Sequence, residues 1–142
     1  MNNLKRTAAQ VLCLLAVAPG ATTAWAGDCP LDLGHGTGLV MFSQRHMVAF
    51  RPDPFQVEVG MPFSLILNVC TKRGEPAELV SVEATMPAHK HGMNYAAKIV
   101  GGADGRYRVE GMLFHMPGDW EVAFDVRSGG ETERLTHGLV AK

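Results

Sequence analysis

The chain has 142 residues, of which 46% are hydrophobic and 19% charged, enough apolar material for one packed domain with little room for a second. Lys and Arg number 13 against 14 Asp and Glu, a formal charge of -1 that argues against a nucleic-acid surface. Gly (16) and Pro (8) favour short strands and turns over long helices, and three Cys are too few for a disulfide scaffold.

Residues 1–26 have the three-part layout of a secretory signal. Lys5 and Arg6 are followed by the apolar run from Val11 to Ala18 and by Ala24-Trp25-Ala26, whose small residues suit signal peptidase. The apolar run is short for a bilayer span, and nothing later in the chain is long and apolar enough for one. The expectation is cleavage after Ala26 and export to the periplasm; the alternative is an uncleaved amphipathic or core helix. Cleavage takes away two basic groups and no acid, leaving 11 against 14 and a charge of -3. It also removes Cys13 and leaves Cys29 and Cys70, an even pair in an oxidising compartment. A disulfide is the reading that compartment favours, with two free thiols as metal ligands the rival.

Residues 27–46 are Gly-rich and expected to be irregular, and 47–142 form the folded domain. Met47–Phe50 and Phe55–Val59 read as strands separated by the turn Arg51-Pro52-Asp53-Pro54. Phe63–Val69 reads as a deeply buried strand. Leu79–Met86 puts Val80, Val82, Ala84 and Met86 on one parity, and Met93–Val100 does the same with Met93, Tyr95, Ala97 and Ile99. Arg106–Leu113 and Trp120–Arg127 alternate apolar with polar, and Thr136–Ala141 closes the chain as an edge strand. Turns at Lys72–Pro76, Gly101–Gly105, Met116–Asp119 and Ser128–Gly130 separate them. This spacing predicts an all-β domain, an immunoglobulin-like antiparallel β-sandwich of about seven strands.

The run Met86-Pro87-Ala88-His89-Lys90-His91-Gly92-Met93 and the piece His115-Met116-Pro117 concentrate soft ligands. If the strands ending at Val100 and starting at Arg106 form a hairpin, matching apolar faces require an even index sum. A sum of 206 sets Ile99 opposite Tyr107, Met93 opposite Leu113, and His91 opposite His115, with Cβ atoms about 5 Å apart. His89, His91, Met93 and His115 then gather at one end of the sandwich, with Met86 and Met116 as alternates. Imidazole with thioether is a soft donor set suited to copper, while the lack of a carboxylate cluster disfavours hard cations. The opposing reading places Met86 and Met112 in the core and leaves His115 a satisfied histidine at its rim. His35, His46 and His137 are isolated in sequence and expected at the surface.

No haem-attachment, nucleophile-elbow, phosphate-loop or dinucleotide motif occurs, and no acid–base pair or activated nucleophile stands out, so an enzyme is not expected.

The His/Met run, the stretch Gly105–Val126 and the lead-in Val59-Gly60-Met61-Pro62-Phe63 together resemble the YtkA-like/FixH-like domain family over roughly residues 47–128. The resemblance implies a small extracytoplasmic β-sandwich. FixH-type members are associated with assembly of copper-containing cytochrome oxidase and carry a membrane anchor, where this chain has a signal-like segment. The resulting expectation is an exported protein that buffers or delivers copper through its His/Met cluster. Its partners would be the copper ion and a membrane oxidase, a transporter or another copper protein. The alternative is a periplasmic interaction or assembly-accessory module without metal.

Overall fold

The computed structural model describes residues 29, 33, 34 and 38–142; the expected signal segment 1–26, Cys13 and His35 lie outside the described residues. Among the described residues there are nine strands: β1 (Leu39–Phe42), β2 (His46–Asp53), β3 (Phe63–Thr71), β4 (Glu78–Met86), β5 (His91–Gly92), β6 (Lys98–Gly101), β7 (Arg106–Met112), β8 (Gly118–Ser128) and β9 (Glu131–Ala141). They form two antiparallel sheets, ordered β1-β2-β3-β7-β6 and β5-β4-β8-β9, which pack as a β-sandwich.

The two-residue period of the sequence decides which side chains fill the space between the sheets. Trp120, Val122, Phe124 and Val126 of β8 are all buried, and their odd-numbered neighbours are not. They meet Val48 and Phe50 of β2, Leu65, Leu67 and Val69 of β3, and Val109 of β7, each fully buried. Phe50 packs on Phe124 across the gap with ring centres 5.0 Å apart. Tyr107 ties the sheets together with its polar end: its hydroxyl donates to the Ala77 carbonyl at 3.0 Å and accepts from the Leu79 N–H at 3.2 Å.

β3 is buried on its outward parity as well, at Ser64, Asn68 and Cys70. The cover over Cys70 comes from the N-terminal segment. Cys29 forms a disulfide with Cys70, and Leu33 is buried while its carbonyl accepts from Arg51 Nε at 2.9 Å. The pairing expected from the cysteine count is therefore present, with a Cα–Cα distance of 5.8 Å.

Several boundaries differ from the sequence expectation. Leu39–Phe42 is a strand inside the segment expected to be irregular, paired to β2 with Leu39 opposite Phe50. β2 does not turn at Arg51 but continues to Asp53, with Pro52 opposite Leu65. Pairing with β1 reaches Phe50, so among the described residues Pro52 has one neighbouring strand, β3, the edge setting in which proline is tolerated. Phe55–Val59 is not a strand, yet Val59 N–H donates to the Lys142 carbonyl and Lys142 N–H to that of Val57. In β4 the register against β8 shifts between Leu79 and Ser81, and this bulge puts Leu79 in the core and Val80 outside. The expected strand Met93–Val100 is reduced to β6, Lys98–Gly101. Met93 N–H bonds instead to the Ala84 carbonyl of the other sheet and Tyr95 is exposed, while β6 keeps the expected parity with Ile99 opposite Val109, a register slipped by two.

The staple closes a loop of 41 residues, for which chain entropy gives about 4 kcal/mol. Cys70→Ser should lower unfolding free energy by an amount of that order in urea titration. Intact mass after alkylation without reductant should show no modified thiol at Cys29 or Cys70.

Candidate metal centre

The turn after β4 positions the first histidines. Pro87 presets a β-turn, and His89 N–H closes it on the Met86 carbonyl at 3.0 Å; Lys90 N–H reaches the same oxygen at 2.9 Å. Lys90 takes a left-handed φ of 55°, uncommon for a side-chain-bearing residue, and this sends the chain back so that His91 pairs with Met86 in β5. β5 belongs to the four-stranded sheet, so the expected hairpin pairing of His91 with His115 does not form.

The two histidines meet by another route. His115 lies in the loop between β7 and β8, where Phe114 is fully buried and stacks on Trp120 at 4.4 Å with nearly parallel rings. Phe114 packs in turn on Phe63 at 4.9 Å, and Trp120 Nε1 donates to the Met116 carbonyl at 3.0 Å. These contacts hold the loop across the open end of the sandwich. The His115 ring then sits 5.0 Å from that of His91, and both lie against Trp120, at 5.4 Å and 5.8 Å. His89 extends the row, 5.8 Å beyond His91.

The free nitrogens matter for ligation. His115 Nδ1 is buried without a hydrogen-bond partner, the one side-chain atom in that condition among the described residues. A neutral ring can leave that nitrogen as a bare lone pair, and a buried polar atom left so is costly unless something else binds it. His91 Nδ1 lies 3.3 Å from the Gly92 carbonyl, a contact that only its protonated form can make, which leaves Nε2 as the acceptor. Among the described residues no three His, Cys, Asp or Glu side chains are grouped to hold a metal ion. A metal at this end would therefore take two imidazoles and complete its shell with thioether sulfur.

The methionines are placed unequally. Met86 is buried opposite His91, and its methyl approaches Gly118 so closely that a Cβ there would lie 3.0 Å away. Gly118 also has a φ of 116°, so glycine is required at this position on two grounds. Met116 is partly buried beside His115. Met93 is partly buried too, but it borders a groove with Thr85, Tyr95 and Ala97 that none of the three histidines borders. The pieces that the structure joins most closely are His91 and His115, with His89 and Met86 attached through the turn.

His46 is the residue that sequence reasoning misplaced. It is fully buried, not at the surface. Its Nδ1 lies 2.6 Å from Glu133 Oε2 and its Nε2 lies 2.7 Å from Ser128 Oγ. Glu133 also accepts from the Ser43 hydroxyl and from the Arg45 N–H, and the Ser43 bond foremost holds its carboxyl below the usual carboxylate range. The signal was parity: His46 falls in step with Val48 and Phe50, and Glu133 in step with Leu135 and Leu139. His137 shares that inward parity and packs edge-on against Phe50 at 5.5 Å.

Two packed antiparallel sheets with a histidine–methionine corner at one end define a small β-sandwich domain. The chain belongs to the YtkA-like family, whose model matches residues 46–125, more than half of its length. No curated protein and no solved structure matches it.

The Glu133 network has a pH signature. A carboxyl whose folded-state pKa is depressed contributes stability above its unfolded value, near 4.3, and loses it as pH falls through the folded value. Urea midpoints should therefore fall more steeply with acidification below about pH 4.3 in the wild type than in Glu133→Gln.

Proposed function

We propose that this protein is an exported copper-binding domain that buffers or delivers copper through the end of the sandwich carrying His91 and His115. The observation that carries the reading is the buried, unpartnered Nδ1 of His115 beside the His91 ring. Two neutral imidazoles with a thioether from Met86 or Met116 make a soft shell that suits Cu(I) and leaves hard cations without oxygen ligands. His89 and Met93 are the outer candidates. The mature protein would begin at Gly27 and work in the periplasm, where the Cys29–Cys70 bond is chemically at home. FixH-type relationship and copper supply to a membrane oxidase, a transporter or another copper protein belong to the same proposal. The reading needs no catalytic step.

Trp120 offers a direct readout, because it touches both rings and is the one Trp after Ala26. Copper added to protein starting at Gly27 should quench its fluorescence. In a Cu(I) competition assay, His91→Ala and His115→Ala should each weaken binding at least about 100-fold, and His137→Ala should leave it unchanged. Occupancy should also fall on acidification, since only neutral imidazole binds metal and protons compete for the same nitrogens. If both histidine variants bind copper like the wild type, the corner is structural and a metal-free interaction module becomes the better reading.

A further inference from the structure

We propose that Ser128, His46 and Glu133 form an acyl-transfer site for small anionic carboxylic esters, at the end of the sandwich away from the histidine–methionine corner. Sequence offers no hint of it, because His46 is separated from Ser128 by 82 positions and from Glu133 by 87. The fold brings them into one line. His46 starts β2 in the five-stranded sheet, while Ser128 and Glu133 flank the β8–β9 turn in the other.

The proton positions follow from the acceptors. An ionised Glu133 can only accept, so His46 Nδ1 carries the hydrogen in the 2.6 Å contact. In the neutral ring Nε2 is the acceptor, and at 2.7 Å it is placed to accept from the Ser128 hydroxyl. Nucleophile, base and orienting carboxylate are thus arranged in the order that activates a serine. A burial-only role for His46 would be served by any partner for Nε2. Here that partner is a half-buried serine on the wall of a cavity of about 500 Å³.

The cavity chemistry narrows the substrate. Arg45, Lys72 and Arg73 border it against a single acid, Glu75. Arg45 is paired with Glu131, which leaves Lys72 and Arg73 as exposed cations for an anionic group on the ester. Gly129 follows Ser128 on the same wall with a φ of 56°. In a two-residue turn the N–H directly after the nucleophile is not needed by the strand ladder, and it supplies the oxyanion donor.

In the first step Ser128 Oγ bonds to the ester carbonyl carbon and its proton passes to His46 Nε2. The carbon–oxygen bond to the alcohol then breaks, and the alcohol leaves with that proton. Water attacks the acyl-serine, gives its proton to His46, and releases the carboxylic acid as Ser128 recovers a proton. Glu133 touches no reacting atom and acts as a positioning residue.

A fluorophosphonate probe tests the serine directly, since phosphonylation forms the O–P bond and expels fluoride with the proton taken by His46. Incubated with the intact protein and digested with trypsin, it should add its mass to the peptide running from Ser128 to Arg134. Labelling should slow at least about 100-fold in His46→Gln, the scale of general-base assistance. Because His46 is buried and its variant can unfold, Ser128→Ala is the second arm. That variant should melt like the wild type and lose hydrolysis of an anionic aryl ester, which the wild type should turn over faster than the neutral analogue. Glu133→Gln should lower kcat with KM little changed, and Glu133→Asp should restore part of the loss. An unlabelled Ser128, or ester hydrolysis that survives in Ser128→Ala, would show that the three residues only tie the sheets together. Apo protein serves throughout, so failure here leaves the copper reading untouched.

Discussion

The stack of Phe114 on Trp120 is the contact on which the histidine–methionine end of the molecule depends. Trp120 is held by its own strand, by the core beneath it and by the hydrogen bond from its indole N–H to the Met116 carbonyl. Phe114, wedged between Trp120 and Phe63, pins a loop that has no ladder of its own. An offset or stacked aromatic pair contributes about 0.5–1.5 kcal/mol beyond its buried area, and two such contacts in series give the loop one position. His115 follows Phe114 in the chain, so its ring is delivered against Trp120 and His91 by packing that involves neither histidine. The site is thus prearranged by hydrophobic contacts, which do not depend on whether a metal is present.

Strand parity was the most legible feature of the sequence. β8 alternates cleanly and was readable nearly to its ends, and β7 alternates until Gly111, whose positive φ shifts the phase and buries Met112 instead of Leu113. The even register of the β6–β7 hairpin follows from matching their faces. Parity failed where a local irregularity changed its phase. The β4 bulge moved Val80 outside, and the left-handed Lys90 sent His91 to the other sheet. The His91–His115 contact was therefore anticipated correctly for a reason that does not hold. It depends on two sheets converging at one end, and only the three-dimensional arrangement of the Phe114 loop brings that about.

His46 was misplaced for a different reason, although its parity with Val48 and Phe50 was there to be read. Its partners lie in the last quarter of the chain, and a lone histidine next to polar Gln44 and Arg45 reads as surface. What buries it is the pairing of β2 with β3, which commits even-numbered β2 residues to the interior, together with the β8–β9 turn that brings Ser128 and Glu133 opposite. A buried imidazole is stable there because both nitrogens have partners. The contrast with His115 is instructive. One ring is saturated and oriented by a carboxylate, which suits it to handling a proton; the other keeps an unshared nitrogen in a site without carboxylate, which suits it to a soft cation.

These two environments are far enough apart to be independent. β8 runs from Gly118, beside Met86, to Ser128, beside His46, and ten residues of strand span roughly 33 Å. Substitutions separated by that distance without shared partners add rather than couple. The shared element between them is the rigid inward face of β8, from Trp120 to Val126, which is buried throughout and has one packing arrangement. A sandwich of this kind transmits no signal along its core unless that packing has a second arrangement, and nothing in the alternation of β8 offers one. Chemistry at one end is therefore set by its own loop contacts: the Phe114 stack for the histidine–methionine corner, and the Ser43–Glu133–His46 chain for the other.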